Sequence, residues 1–96
     1  MTEELKVIQK AYDFCVYLVP IVNRYPRDFK FTVGDRITNA ALDVLEDLIA
    51  ARYTRERVEI LRRTNLRIER LRHLLRLSGD FGILGGKSVE QSAKLL

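Results

Sequence analysis

FTVGDRITNAALDVLEDLIAARYTRERVEILRRTN, residues 31–65, contains two helical patterns joined by a short connection. In the first half, apolar residues recur every three or four positions, which is the spacing of one helix face. We expect this helix to start at Thr32, because Asp35 completes a variant of the capping box. A second row begins in the other half and consists of Val58, Leu61, Ile68, Leu71 and Leu75. Because few residues around Ala51–Tyr53 separate the two rows, we expect antiparallel neighbours.

Two further helical segments flank this pair. The first runs from about Glu3 to Arg24 and carries two adjacent apolar rows, with Pro20 expected to kink it near its end. The last opens at Ser88 with the capping box SVEQ and reaches Leu96 after only about nine residues. Since no strand pattern occurs, we predict an all-α fold. Residues 1–96 would form one domain, an antiparallel up-down four-helix bundle with a short fourth helix.

The composition narrows the class of protein. Among the 96 residues, 47% are hydrophobic, and no stretch approaches the roughly 20 apolar residues that a membrane-spanning helix needs. The start, MTEELK, lacks the basic-then-apolar layout of a signal peptide. The single cysteine, Cys15, has no partner for an internal disulfide and lies in an apolar row, where a core thiol is expected. We therefore expect a cytoplasmic protein without a membrane partner.

Residues for catalysis are scarce. The only histidine, His73, and Cys15 belong to separate helices, and no common nucleophile, zinc or phosphate-loop motif occurs. Asp43, Glu46 and Asp47 could form a metal cluster, but opposing the arginines of the next helix is the favoured interpretation. We therefore predict a protein that is not an enzyme and has no cofactor.

Arginine dominates the charge of the chain. The net charge is +4, and nine arginines but only three acids lie between Arg52 and Arg76. Arginine contacts phosphates through two parallel hydrogen bonds, so the residue choice favours a polyanion site. The alternative is a solvated surface with pairs such as Glu59–Arg63. We expect an outward stripe on the third helix that consists of Arg52, Arg55, Arg62, Arg63, Arg70 and Arg76. Weaker candidates for the same electrostatic field are Lys6, Lys10, Arg27 and Lys30.

Two other groups of residues have predicted structural roles. Arg72 projects toward the packed side of its helix, and we expect it to pair with Asp43 or Asp47, because an unpaired buried charge is costly. The helices also carry more apolar residues than one small core uses, which is typical of self-association into a closed ring. The predicted oligomer interface consists of Val7, Phe14, Leu18, Ile21, Leu66 and Leu77.

Two stretches carry a family resemblance. YPRDFKFTVGDRITNAALDVLEDLIAARY, residues 25–53, and LRRTNLRIERLRHLLRLSGDFGIL, residues 61–84, resemble the accessory variability determinant (Avd) family of diversity-generating retroelements. The matching features are Tyr25-Pro26-Arg27, a helix start over residues 31–37, and the leucine-rich patterns of residues 42–53 and 65–77. Members of that family usually continue past the position of Leu96 through a longer fourth helix.

The resemblance implies a fold and a function. Avd proteins are four-helix bundles that assemble into basic pentameric barrels and are not enzymes. They bind the element's reverse transcriptase and nucleic acid, and support mutagenic copying of template RNA into complementary DNA. The alternative is a structural protein-interaction bundle of the type encoded in ribosomal RNA intervening sequences, without a nucleic-acid role. Those proteins share the fold, but their typical second-helix pattern SIPSNIAEG is absent here.

Overall fold

Three long helices make up most of the structure, a computed structural model that describes residues 3–83. They are α1, Glu3–Val22, α2, Asp35–Arg52, and α3, Arg57–Asp80. No strand occurs among the described residues, which confirms the all-α class. The predicted fourth helix, residues 88–96, lies outside them. Within the described part of the chain, no helix is both long and apolar enough to cross a bilayer.

The three helices run up, down and up, and α2 packs against both of the others. The Cys15 Sγ donates a hydrogen bond to the Ala41 carbonyl oxygen at 3.5 Å, near the middle of α1 and α2. At the end of α1, a Cβ added to Gly34 would lie 3.2 Å from Cγ1 of Val22. Glycine at position 34 therefore lets the start of the α2 region approach α1 closely. As predicted, α2 and α3 are antiparallel neighbours.

The connection between α1 and α2 is more helical than the sequence indicates. After the break at Pro26, one helical turn, Arg27–Phe29, leads into a π-helical segment, Lys30–Gly34, which continues directly into α2. Thr32 lies inside this segment and does not cap a helix. Its hydroxyl donates to the carbonyl oxygens of Asp28 at 3.2 Å and Phe29 at 3.3 Å. The predicted start of the second helix was therefore wrong, because Thr32 bonds backward into the preceding turn rather than forward to Asp35.

The face of α1 that enters the core differs from the predicted one. Phe14 and Leu18 are 3% and 0% exposed, and they belong to one core cluster with Leu71 and Leu75 of α3. Ile21 is partly buried against the same cluster. The prediction of Phe14 and Leu18 as oligomer-interface residues was therefore wrong, whereas the prediction for Ile21 stays a prediction. Phe14 and Leu18 share the core with Cys15 and Val22 of the other apolar row of α1, so both rows contribute to it. Val7, Leu66 and Leu77 of the predicted interface set are exposed.

The buried face of α3 includes Leu71 and Leu75 of the predicted core row but is rotated away from the start of that row. Val58 is 66% exposed and Leu61 is exposed, whereas Thr64 and Ser78 are buried together with Leu71 and Leu75. A buried threonine is tolerated because its hydroxyl donates to the Ile60 carbonyl oxygen at 2.8 Å. The rotation leaves additional apolar side chains exposed at the start of α3.

Candidate nucleic-acid interface

A cluster of charged residues centred on Asp47 joins α2 to α3. Asp47 is 7% exposed and accepts hydrogen bonds from Arg63 Nη2 at 3.0 Å and Arg67 Nη1 at 2.9 Å. Asp43, one turn earlier, lies 3.8 Å from the same Arg67 nitrogen. The Thr64 hydroxyl is 3.5 Å from Asp47 Oδ2. Two acids one turn apart on α2 thus oppose two arginines one turn apart on α3.

Arg72 does not join this cluster, so its predicted pairing with Asp43 or Asp47 was wrong. It is exposed and its Nη1 lies 2.7 Å from Oε1 of Glu69, three residues earlier on the same helix. The reason is the rotation of α3, which turns Arg67 rather than Arg72 toward α2. The prediction that Asp43, Glu46 and Asp47 oppose arginines of the next helix agrees with this geometry for Asp43 and Asp47, whereas Glu46 is exposed and has no ion pair to a described residue.

The predicted stripe is not confined to α3, because Arg52 ends α2 and Arg55 lies in the connection before α3, and its members also differ in their partners. Arg63 is held by Asp47, so it contributes to the packing of α2 on α3. Arg62 and Glu59 are both largely exposed and only approach to 3.9 Å, a contact that contributes little in water. Arg52 lies over the ring of Tyr53, with 5.5 Å between its guanidinium carbon and the ring centroid. The remaining members, Arg55, Arg70 and Arg76, are exposed and form no ion pair with another residue of the 3–83 region.

The weaker basic candidates lie on α1 and on the connection that follows it. Lys6 pairs with Glu3 at 3.6 Å, and Lys30 lies 5.9 Å from the centroid of the Phe31 ring. Lys10 and Arg27 are exposed and have no ion pair to a residue that the structure describes. These four cations therefore lie on other elements than the exposed arginines of α3.

Arg57 has a structural role that the sequence reasoning missed. Its Nη1 lies 2.6 Å from Glu4 Oε1, and its Nε donates to the Ala51 carbonyl oxygen at 3.1 Å. One side chain therefore connects the starts of α1 and α3 to the end of α2. Beside it is a small apolar cleft of about 180 Å³, which Val7 and Leu61 help to line.

An open groove of about 760 Å³ runs between α2 and α3. Its walls combine charged, polar and apolar side chains: Arg36, Asn39, Ala40 and Asp43 from α2, and Arg67, Glu69, Arg70, His73, Leu74 and Leu77 from α3. The sequence reasoning did not identify Arg36 or Asn39 as site residues. Their signal is the spacing of Arg36, Asn39 and Asp43, which places all three on the side of α2 that faces α3.

The two residues singled out for possible chemistry have ordinary environments. Cys15 is buried, and burial raises the pKa of its thiol above the usual 9.0, as a core cysteine requires. His73 is exposed, and its Nδ1 lies 2.8 Å from the Glu69 carbonyl oxygen, which can only accept, so Nδ1 carries the proton. Among residues 3–83, no three histidine, cysteine or acidic side chains are placed to hold a metal ion.

Comparison with known families identifies the chain. The profile of the bAvd-like family matches residues 5–96. The chain belongs to the bAvd-like family. This membership confirms the resemblance to accessory variability determinants that residues 25–53 and 61–84 carry. Comparisons with curated proteins and with solved structures gave no significant match.

In this bAvd-like protein, the arginines of the α2–α3 region serve two purposes. Arg57, Arg63 and Arg67 are bound to acids or backbone oxygens of neighbouring helices and stabilise the fold. Arg55, Arg70 and Arg76 remain exposed and form no ion pair with an acid of the described residues, and Arg62 only approaches Glu59. The second group is the one available to an external anion.

Proposed function

We propose that this bAvd-like protein is a non-catalytic accessory protein of a diversity-generating retroelement. In this role it binds the reverse transcriptase and the template RNA or complementary DNA, and it supports mutagenic reverse transcription. Membership of the family supports the biological role. The observation that carries the nucleic-acid part is the excess of exposed, unneutralised arginine on α3 over the nearby acids.

The proposed contact is with the phosphate backbone. Arg62 and Arg76 project from the solvent-facing side of α3, about 20 Å apart at 1.5 Å per residue, and Arg55 lies just before the helix begins. Each guanidinium can donate two parallel hydrogen bonds to one phosphate. Contacts of this kind fix the position of a strand without reading its bases. The protein therefore acts as a scaffold that binds nucleic acid largely independently of the base sequence.

Self-association is part of the proposal. Exposed apolar residues lie on α1 and along α3, with Val7, Val58 and Leu66 among them. Burial of these side chains between copies would remove apolar surface from water and repeat the arginine surface once per copy. A pentamer is the form that the family resemblance favours. Light scattering of the purified protein tests the number of copies.

A salt titration tests the nucleic-acid part. The wild-type protein should bind RNA with an affinity that falls steeply with salt, because each phosphate contact releases a counterion. The triple variant Arg55→Ala, Arg62→Ala and Arg76→Ala should reduce the slope of log K against log salt by about 2 to 3. Arg72→Ala is the matched control, since Arg72 already pairs with Glu69. An unchanged slope in the triple variant would reject phosphate binding by this surface.

The polymerase part has its own tests. We expect a reverse-transcriptase gene and a pair of near-repeats beside the gene for this chain. Removal of the protein should abolish mutagenic complementary DNA while the polymerase is still made. If mutagenesis continues without the protein, the accessory role is rejected.

The exposed apolar cleft between α1, α2 and α3 favours a second candidate, a structural protein-interaction bundle that never contacts nucleic acid. Its lining includes Val7, Leu48 and Leu61, close to the Arg57–Glu4 ion pair. Such a surface suits a protein partner whatever the arginines do. Loss of partner binding in Leu61→Ser, together with no RNA binding by the wild type, would favour this candidate.

A further inference from the structure

The charges that line the α2–α3 groove are not all neutralised. Asp43 lies beside Arg67, and Glu69 is bound by Arg72 from outside the groove. The two other arginines of the lining, Arg36 and Arg70, are exposed and have no ion pair to a described residue. The groove therefore presents two guanidinium groups, one from each helix, without a local counter-charge. A ligand that fits it carries negative charge.

We propose that this groove holds one nucleotide of a single strand, with its phosphate on Arg36 and Arg70. The inference rests on the proposed function, because it names the form of nucleic acid that the protein binds and adds a site beside the α3 stripe. Two guanidinium groups from different helices can donate hydrogen bonds to one phosphate from two sides. A volume of about 760 Å³ lies within the range of nucleotide and cofactor sites.

The rest of the lining suits a base. Leu77 is exposed and Leu74 is partly buried against the core, so the two provide an apolar wall with a rigid support. Asn39 offers an amide that can both donate and accept a hydrogen bond. Because His73 Nδ1 is engaged by the Glu69 carbonyl oxygen, its Nε2 is left for a ligand. An apolar wall with a few convergent polar groups is the usual composition of a small-molecule site.

This composition separates single strands from duplexes. In a duplex the bases are paired and stacked, so the groove could contact only the phosphates. In a single strand a base can leave its neighbours and lie against the Leu77 side chain, and the apolar area that this removes from water contributes about 25 cal/mol per Å². Leu77 therefore contributes to the binding of single strands and not to that of duplexes. This role also removes Leu77 from the side chains available for a contact between copies.

The test compares one short labelled RNA as a single strand and as a duplex, titrated against the full-length protein. Leu77→Ser should weaken single-strand binding about tenfold and leave duplex binding within about twofold. Leu42→Ser is the matched control, because Leu42 is as exposed as Leu77 but lies on α2 outside the groove. Arg36→Gln should reduce the single-strand salt slope by about 0.7, whereas Arg72→Gln should not.

A second variant separates a binding role from a structural one. Leu77→Phe should keep or strengthen single-strand binding, since an aromatic ring stacks on a base better than an aliphatic chain does. Light scattering of each variant shows whether the number of copies has changed. Equal losses for single strand and duplex, or no loss in Leu77→Ser, would overturn the groove site and leave the α3 stripe standing. If the wild type binds neither RNA form, the proposed function is rejected as well.

Discussion

Arg67 of α3 lies between two acids of α2, and its Nη1 is 2.9 Å from Oδ2 of Asp47. The second acid, Asp43, is 3.8 Å from the same nitrogen. Arg67 is mostly buried and Asp47 almost fully so, and Arg63 supplies a second guanidinium to Asp47. Part of the positive charge of α3, the described helix with the most arginines, is therefore neutralised inside the molecule. That division determines which arginines can bind an external anion.

Asp47→Asn should lower the free energy of unfolding by about 1–3 kcal/mol. The substitution keeps the shape of the side chain but removes the charge that faces two guanidinium groups. Urea denaturation measures the change. Glu46→Gln is the matched control, because Glu46 is exposed and has no ion pair to a residue in the 3–83 region. Equal stabilities of the two variants would contradict a structural role for the Asp47 cluster.

Truncation of Leu18 should lower the stability of the protein much more than truncation of Leu66. Leu18 is fully buried, so Leu18→Ala should cost about 2–5 kcal/mol of stability through lost contacts and a cavity. Leu66 is 52% exposed, so Leu66→Ala should change stability by no more than about 0.5 kcal/mol.

The mass of the assembled protein provides a second test of Leu66. If Leu66 lies between copies, Leu66→Ala should reduce the mass measured by light scattering at a given protein concentration. Leu66→Met is the conservative control and should retain the assembly. A mass that is insensitive to Leu66→Ala would remove this residue from the proposed interface.

The antiparallel pair α2 and α3 could be predicted from the sequence, whereas the rotation of α3 could not. Both helices repeat apolar residues at helical spacing, and the few residues between them leave only an antiparallel arrangement. Leu61, Thr64 and Ser78 follow the same helical spacing as Leu71 and Leu75, so the period does not decide which of them is buried. Hydropathy favours Val58 and Leu61, but the Thr64 hydroxyl is satisfied by a hydrogen bond to the Ile60 carbonyl oxygen, and Thr64 is buried instead.

The ion pairs follow from that rotation. Asp43 and Asp47 are one turn apart, as are Arg63 and Arg67, and this match was present in the sequence. The sequence does not define the rotation of α3, and for that reason it favours Arg72 rather than Arg67 as the partner of these acids. The groove depends further on the alignment of the two helices, which brings Arg36 and His73 to the same surface although 37 positions separate them in the sequence.

The free energy of unfolding should decline in alkaline solution, because the buried Cys15 thiol and the buried Tyr25 hydroxyl resist the loss of their protons. Burial raises the pKa of Cys15 above 9.0, and it raises the pKa of Tyr25 above 10.0, although the neighbouring Ser78 hydroxyl offsets part of the second shift. In the unfolded chain both groups lose their protons at lower pH than in the fold. Their contribution to stability is therefore full below about pH 9 and is lost as the pH rises through the folded values.

Cys15→Ala isolates the thiol part of this effect. The variant should show a smaller loss of stability than the wild type when the pH is raised from about 8 to about 10. Denaturation at several pH values provides the comparison. The native thiol should also react slowly with an alkylating reagent and rapidly after unfolding, because burial excludes the reagent and disfavours the thiolate. Identical pH profiles for variant and wild type would contradict the raised pKa of Cys15.

Arg62 and Arg63 are adjacent in sequence but should have separable effects. Arg63 binds Asp47 through Nη2 at 3.0 Å, whereas Arg62 is largely exposed and only 3.9 Å from Glu59. Arg63→Gln should therefore lower the melting temperature by several degrees, as a loss of about 1 kcal/mol does in a domain of this size. Arg62→Gln should leave the melting temperature nearly unchanged and reduce the RNA salt slope by about 0.7 to 0.9.

The two variants carry the same change in net charge, so each is the control for the other. A difference between them cannot come from the overall charge of the protein and must come from position. If Arg63→Gln reduced the salt slope as much as Arg62→Gln did and left the melting temperature unchanged, Asp47 would not be holding Arg63 in solution. Arg63 would then belong with the phosphate-binding arginines, and the division of α3 into structural and binding arginines would fail at this residue.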